Sequence, residues 1–168
     1  MREQPQPAPS PAAAPAALTL ADLRPGQVFE TGSLVVGRDE IVAFATAFDP
    51  QPMHLDEAAA GRTMFGQLVA SGWQVAALTM RLMVEARPFG TTPLIGAEVE
   101  RLRFRRPVPP GTRLRCRATV ETLEDSPRSG QGYARLKVET LDADTGVTLL
   151  VQGWRMVLPE VPEQQASA

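Results

Sequence analysis

The chain has a single histidine, His54, and it lies in the stretch FDPQPMHLD. Asp49 precedes it and Asp56 follows it. Imidazole titrates near neutral pH, at about 6.5 when unperturbed, so a nearby carboxylate makes an acid–base pair chemically useful. One group can act as a base while the other acts as an acid or orients water. Pro50 and Pro52 stiffen the loop between Asp49 and His54, which suits groups that must hold a geometry. The D-x4-H spacing fits a plainer arrangement equally well, with Asp49 capping a turn and His54 on the surface. As metal ligands, His54 and Asp56 form only a two-ligand H-x-D with no second histidine, so no metal is expected.

A second candidate is ASGW, Ala70 to Trp73. Gly72 falls in the first turn of a long apolar helix, where backbone N–H groups have no intrahelical acceptor. A glycine there lets a substrate approach the backbone, and the helix dipole favours negative charge at that point. An oxyanion hole for a thioester or ester carbonyl is built this way. The same residues also read as simple architecture, with Ser71 as N-cap and Gly72 small for packing. Ser71 as a nucleophile has little support, because the G-x-S-x-G elbow is absent and only one histidine exists to activate it. The run RLRFRRPVPPGTRLRCR is strongly basic. Arg101, Arg103 and Arg105 alternate along an expected strand. They form either a solvated sheet face or a surface for an anionic substrate tail such as nucleotide phosphates. The aromatics expected of a single-stranded nucleic-acid site are not interleaved with them.

These residues need elements to position them. Val28 to Val36 reads as extended after the RPG turn. Ile41, Phe44, Ala45 and Phe48 then recur at helical spacing, and the helix must stop near Phe48 or Asp49 because Pro50 and Pro52 follow. From Gly72 to Glu85 a second helix carries Val75, Leu78, Thr79 and Leu82 on one face. Ala76, Met80 and Met83 widen its apolar surface, so burial is expected; Gln74, Arg81 and Glu85 alone look wet. The period then changes to two: Leu114, Cys116, Ala118 and Val120 alternate with polar residues, as do Ala134, Leu136 and Val138. VTLLVQGWRMVL is a further strand. The class is α+β, an antiparallel sheet with one face open and the other packed on a helix.

Bulk properties exclude several classes. The 168 residues are 43% hydrophobic with net charge -2, which suits one domain with a real core and no strong field for nucleic acid or membrane. No apolar run reaches the roughly 18 residues that a membrane span needs. A single cysteine, Cys116, forbids an internal disulfide framework and fits a reducing, cytoplasmic compartment. Residues 1–17 are rich in proline and alanine and are expected to be a disordered tail, lacking the apolar core of a signal peptide. Residues 160–168 read as a polar tail, leaving 18–159 as the folded unit.

The stretch GRDEIVAFATAFDPQPMHLDEAAAGRTMFGQLVASGW resembles the MaoC-like dehydratases, which include the (R)-specific enoyl-CoA hydratases. Asp49, Pro52, His54 and Asp56 match the family pattern D-x-N-P-x-H-x-D. Phe65, Gly66, Val69, Ala70 and Gly72 match its F-G-x-x-(I/V)-A-H-G, and FRRPVPPGTRL resembles its later R-P-V-x-x-G-D-x-L. The resemblance implies a hot-dog fold, a curved antiparallel sheet wrapped around one long helix. It also implies a homodimer or larger homo-oligomer, with acyl-CoA bound near the subunit interface and no cofactor beyond the coenzyme A of the substrate. Asp49 and His54 would add water across the double bond of a trans-2-enoyl-CoA, and the Gly72 N–H would stabilise the enolate. Gln51, Pro52, Ser71 and Trp73 would contact substrate. Three positions depart from the pattern: Gln51 replaces asparagine, Ser71 replaces histidine, and Met80, beside Thr79, replaces a hydroxyl residue. Two other functions stay open, a hot-dog thioesterase and a non-catalytic acyl-CoA-binding module.

Overall fold

The computed structural model describes residues 16–160. The expected tails lie outside those residues, apart from Ala16, Ala17 and Glu160. A 3-10 turn at Leu20–Asp22 leads into β1 (Val28–Val35) and α1 (Arg38–Phe48). Two single-turn helices follow, α2 (Pro52–Leu55) and α3 (Glu57–Ala60), then the long α4 (Gly72–Ala86). The rest is sheet: β2 (Ile95–Phe104), β3 (Arg113–Asp125), β4 (Gln131–Asp142) and β5 (Thr148–Pro159). The strand order is β1-β3-β4-β5-β2, and every neighbouring pair is antiparallel. With α4 packed on one face, this is the hot-dog arrangement. No helix among the described residues is long and apolar enough to cross a membrane.

Period-two patterning builds the sheet. In β3, Leu114, Cys116, Ala118 and Val120 are buried while their neighbours are half-buried or exposed. Ala134, Leu136 and Val138 do the same in β4. This inner face meets Val75, Thr79, Leu82 and Met83 of α4 in one core. Removing such side chains from water is the main driving force for the packing. A polar contact fixes the seam: the Thr79 and Thr140 hydroxyls lie 2.6 Å apart, and Thr79 also donates to the Val75 carbonyl. Both hydroxyls are thereby satisfied in an interior that penalises unpaired polar groups. Burial pushes the Cys116 thiol up to about 11, so this cysteine is an inert core residue.

Two expectations about the helices need correction. Gln74 is 4% exposed rather than wet. It stands one turn before Leu78 and two before Leu82, so helical geometry carries it to the core despite its amide. Phe48, expected on the buried stripe of α1, is 75% exposed, and only Ile41 and Ala45 of that stripe are fully buried. Phe44 and Phe48 instead pack against each other near the end of the helix, with ring centroids 5.0 Å apart and planes tilted by 44°.

Candidate active site

Helix α1 stops where the prolines require. Asp49 is its C-cap, with φ -151° and ψ 68°, and its N–H still donates to the Ala45 carbonyl at 2.9 Å. Pro52 opens α2 at its first position, where a missing N–H costs nothing. Two residues later, α2 delivers His54, which is 6% exposed. Asp56 then caps α3 by accepting from the Ala59 N–H at 2.7 Å, so its carboxylate has an architectural use.

The two candidate groups meet. His54 Nε2 lies 3.5 Å from Asp49 Oδ2. On the other side of the ring, Nδ1 lies 2.8 Å from the Val69 carbonyl. A carbonyl only accepts, so Nδ1 carries a proton, and in the neutral ring Nε2 presents a lone pair toward Asp49. Two acceptors therefore face each other at a distance too long for a direct strong bond. A water molecule with two O–H groups satisfies both.

Asp49 is held by two donors. Ser71 Oγ donates to Oδ2 at 2.6 Å, and Gln51 Nε2 donates to Oδ1 at 2.7 Å. The bond from Ser71, and then that from Gln51, keeps the carboxyl below its ordinary range despite the opposing cost of burial, with a smaller contribution from His54. Ser71 Oγ also accepts from the Trp73 N–H at 3.2 Å, so one hydroxyl caps α4 and fixes Asp49. Two of the three departures from the family pattern, Gln51 and Ser71, thus orient the same carboxylate.

Ser71→Ala removes the larger of the two donors. The Asp49 carboxyl is expected to titrate higher in the variant, moving toward the ordinary value of about 4. Because the folded value is depressed, Asp49 contributes stability that is fully present above the unfolded-state value. That contribution is lost as pH falls through the folded one. The stability difference between wild type and variant should therefore be largest at neutral pH, about 2 kcal/mol including the lost cap, and shrink in acid. Carbon-13 titration of Asp49 with parallel urea melts measures both; an unmoved titration removes Ser71 from this role.

A cavity of about 440 Å³ opens beside the pair. Asp49, Gln51, His54, Gly72 and Trp73 line it on one side, and the segment Phe104–Val108 lines it on the other. Pro52 and Ser71 are not in that lining: Pro52 starts α2, and Ser71 is fully buried behind Asp49. Gly72 is the first residue of α4, and its N–H finds no acceptor among the described residues. Its packing is also demanding. A Cβ at this position would lie 2.5 Å from Cε1 of Phe104. The small size of Gly72 is thus required by packing against Phe104.

The sequence reading missed the far wall, Phe104 to Val108 with Leu149 and Leu150. It also missed the backbone carbonyl that fixes the His54 tautomer. Residue type carries no signal for a carbonyl, and the wall is remote in sequence from Asp49. The arginine run and the FRRPVPPGTRL resemblance marked that region, but neither placed it opposite Asp49.

The family model described as "MaoC like domain" matches residues 21–141. The chain belongs to the MaoC-like domain family. A crystal structure of the MaoC-like dehydratase from Rhodospirillum rubrum is similar, with a TM-score of 0.78 and 38% identity over 87% of this chain and 99% of that one. The (R)-hydratase from A. caviae involved in PHA biosynthesis gives a TM-score of 0.66 at 27% identity, covering 82% of this chain and 98% of the other. "Uncharacterized protein YdeM" of Bacillus subtilis (strain 168) is 39% identical over 106 residues, which are 63% of this chain and 74% of that protein. Within this MaoC-like chain, Asp49, His54 and Gly72 all border one cavity.

Proposed function

We propose that this protein is a hydratase–dehydratase that reversibly adds water to a trans-2-enoyl-CoA, giving a 3-hydroxyacyl-CoA. The observation that carries the proposal is the facing pair, Asp49 Oδ2 and His54 Nε2, 3.5 Å apart at the cavity beside Gly72. Water donates one O–H to each. Its oxygen bonds to C3 while one of the pair accepts its proton. The C2–C3 π electrons move toward C2 and the thioester oxygen, where the Gly72 N–H stabilises the enolate. The accepted proton returns to C2 as the enolate collapses. One pair holds the water and returns the proton, so hydroxyl and hydrogen add to the same face of the double bond.

The test is loss of enoyl-thioester absorbance, run beside a thiol-release assay on the same sample. Hydration should consume the absorbance with no free thiol, and in D2O should place deuterium on C2 on the same face as the new hydroxyl. Thiol release without hydration would point to the thioesterase instead. Binding with neither reaction would leave a non-catalytic module.

We also propose a cytoplasmic homodimer. Edge strand β2 exposes Ile95, Val99 and Phe104, and an open edge of this kind is suited to pairing with a second copy. Sedimentation equilibrium should return twice the 18.1 kDa chain mass; a monomer would overturn this.

A further inference from the structure

The wall across from Asp49 depends on a break in the pairing of β2. Residues opposite each other in an antiparallel pair share one face of the sheet. Val99 stands opposite Trp154, and Phe104 stands opposite Leu150, so both face the core side with those buried residues. Val99 and Phe104 are an odd number of positions apart, however, and strict alternation would put them on opposite faces. A bulge between Glu100 and Arg103 removes the conflict, because Arg101 and Leu102 together oppose Gln152 alone. Without that extra residue the Phe104 ring would point away from the cavity that it lines with Gly72 and Trp73.

Arg101 carries the bulge. Its φ is 52°, a left-handed conformation that suits glycine and strains an arginine. Its side chain leaves on the outer face next to that of Glu100, which reaches Arg135 there at 2.8 Å. Gly153 of β5 lies beneath both: a Cβ at this position would come within 2.8 Å of Arg101 Nε and 2.9 Å of Glu100 Cγ. Crossing that bare backbone, Arg101 Nη2 donates to Glu121 Oε2 at 2.6 Å. Glu121 is itself the extra residue of a bulge in β3, between Val120 and Thr122. One ion pair thus ties two bulges together across β4 and β5. Stability does not account for it. A glycine would adopt this φ freely, and a pair whose side chains are 45% and 32% exposed adds little.

We infer that the Arg101–Glu121 pair is a positioning clasp for the active site, holding the β2 bulge so that Phe104 and the segment to Val108 keep the wall across from Asp49 and His54. Neither partner lines the catalytic cavity, so both act through Phe104. The kinetic consequence rests on the hydratase reading above; the geometry does not.

The experiment uses the full chain with Arg101→Gln, Glu121→Gln and Arg101→Gly. The indole N–H resonance of Trp73 reports its edge-on contact with Phe104 without turnover, and Phe104→Ala marks where the resonance goes when that contact is lost. Both glutamine variants should move the resonance toward that position. They should also raise KM for the enoyl thioester about tenfold, part of the roughly hundredfold that a misplaced substrate can cost, with kcat changed less than about twofold. Arg101→Gly separates clasp from strain. Glycine relaxes the backbone but loses the pair, so the same resonance shift and KM are expected with no larger loss of melting temperature than in Arg101→Gln. If Arg101→Gln does not fold, Glu121→Gln decides, since it leaves residue 101 intact. Wild-type resonance or wild-type KM in a folded glutamine variant of a working hydratase would overturn the inference, as would wild-type behaviour of Arg101→Gly. Failures separate cleanly. A shifted Trp73 resonance in a protein that hydrates nothing leaves the clasp standing and sinks the hydratase. Hydration that ignores both glutamine variants does the reverse.

Discussion

Asp49→Asn is expected to lower kcat about 1,000-fold with little change in fold. The substitution is nearly isosteric, and its contacts can survive. Ser71 can still donate to the remaining carbonyl oxygen, while the Gln51 amide can turn to accept from the new NH2. The loss of charge-assisted bonds should cost about 1 kcal/mol of stability. Chemistry suffers far more, because a neutral amide cannot share the water's proton with His54. Near-normal kcat in a correctly folded variant would remove Asp49 from the reaction. His54→Gln should resemble it, and the double variant should be little worse than the poorer single, as for groups that act on one water.

Gly72→Ala is the second large effect. The added methyl would sit 2.5 Å from one Phe104 ring carbon and 2.6 Å from another, so the ring must move. Phe104 is part of the cavity wall and packs edge-on against Trp73 at 6.1 Å. Overpacking should cost about 2 kcal/mol. Displacing the wall should cost about 100-fold in kcat/KM, the scale of a misplaced substrate. Alanine keeps its N–H, so a partner experiment separates the causes. If ring displacement dominates, Gly72→Ala combined with Phe104→Ala should recover to the level of Phe104→Ala alone. If the donor itself has shifted, no recovery follows. Thermal melts and steady-state kinetics on the three variants decide, and an unimpaired Gly72→Ala enzyme would discard both accounts.

Much of the fold was legible because burial imposes period on a sequence. β3 and β4 each have one face in the core, so Leu114 to Val120 and Ala134 to Val138 alternate without exception. Strand β2 lies at an edge, exposes most of its residues and is bulged, with Arg101 at φ 52°, so periodicity alone gives little there. Gln74 misled because its type is polar while its angular position is that of Leu78 and Leu82. At the site, Asp49, His54 and Gly72 could be named because proline, helix-end and glycine signals are local. Their convergence could not be derived from spacing, since it depends on Val69 and on a wall that begins at Phe104. The resemblance to MaoC-like proteins supplied that link before the geometry did.

The short segment after the exposed loop has one more consequence. Val69 donates to the Met53 carbonyl and its own carbonyl holds His54, while Ala70 donates to the Val108 carbonyl. The histidine is thus anchored downstream of Gly61 to Gln67, and Met64 in that stretch is 93% exposed. That interval is a permissive insertion point: a reporter peptide spliced beside Met64 should leave the imidazole in register. A longer rim would reshape the cavity mouth beside Phe65 while the Val69 carbonyl still holds His54.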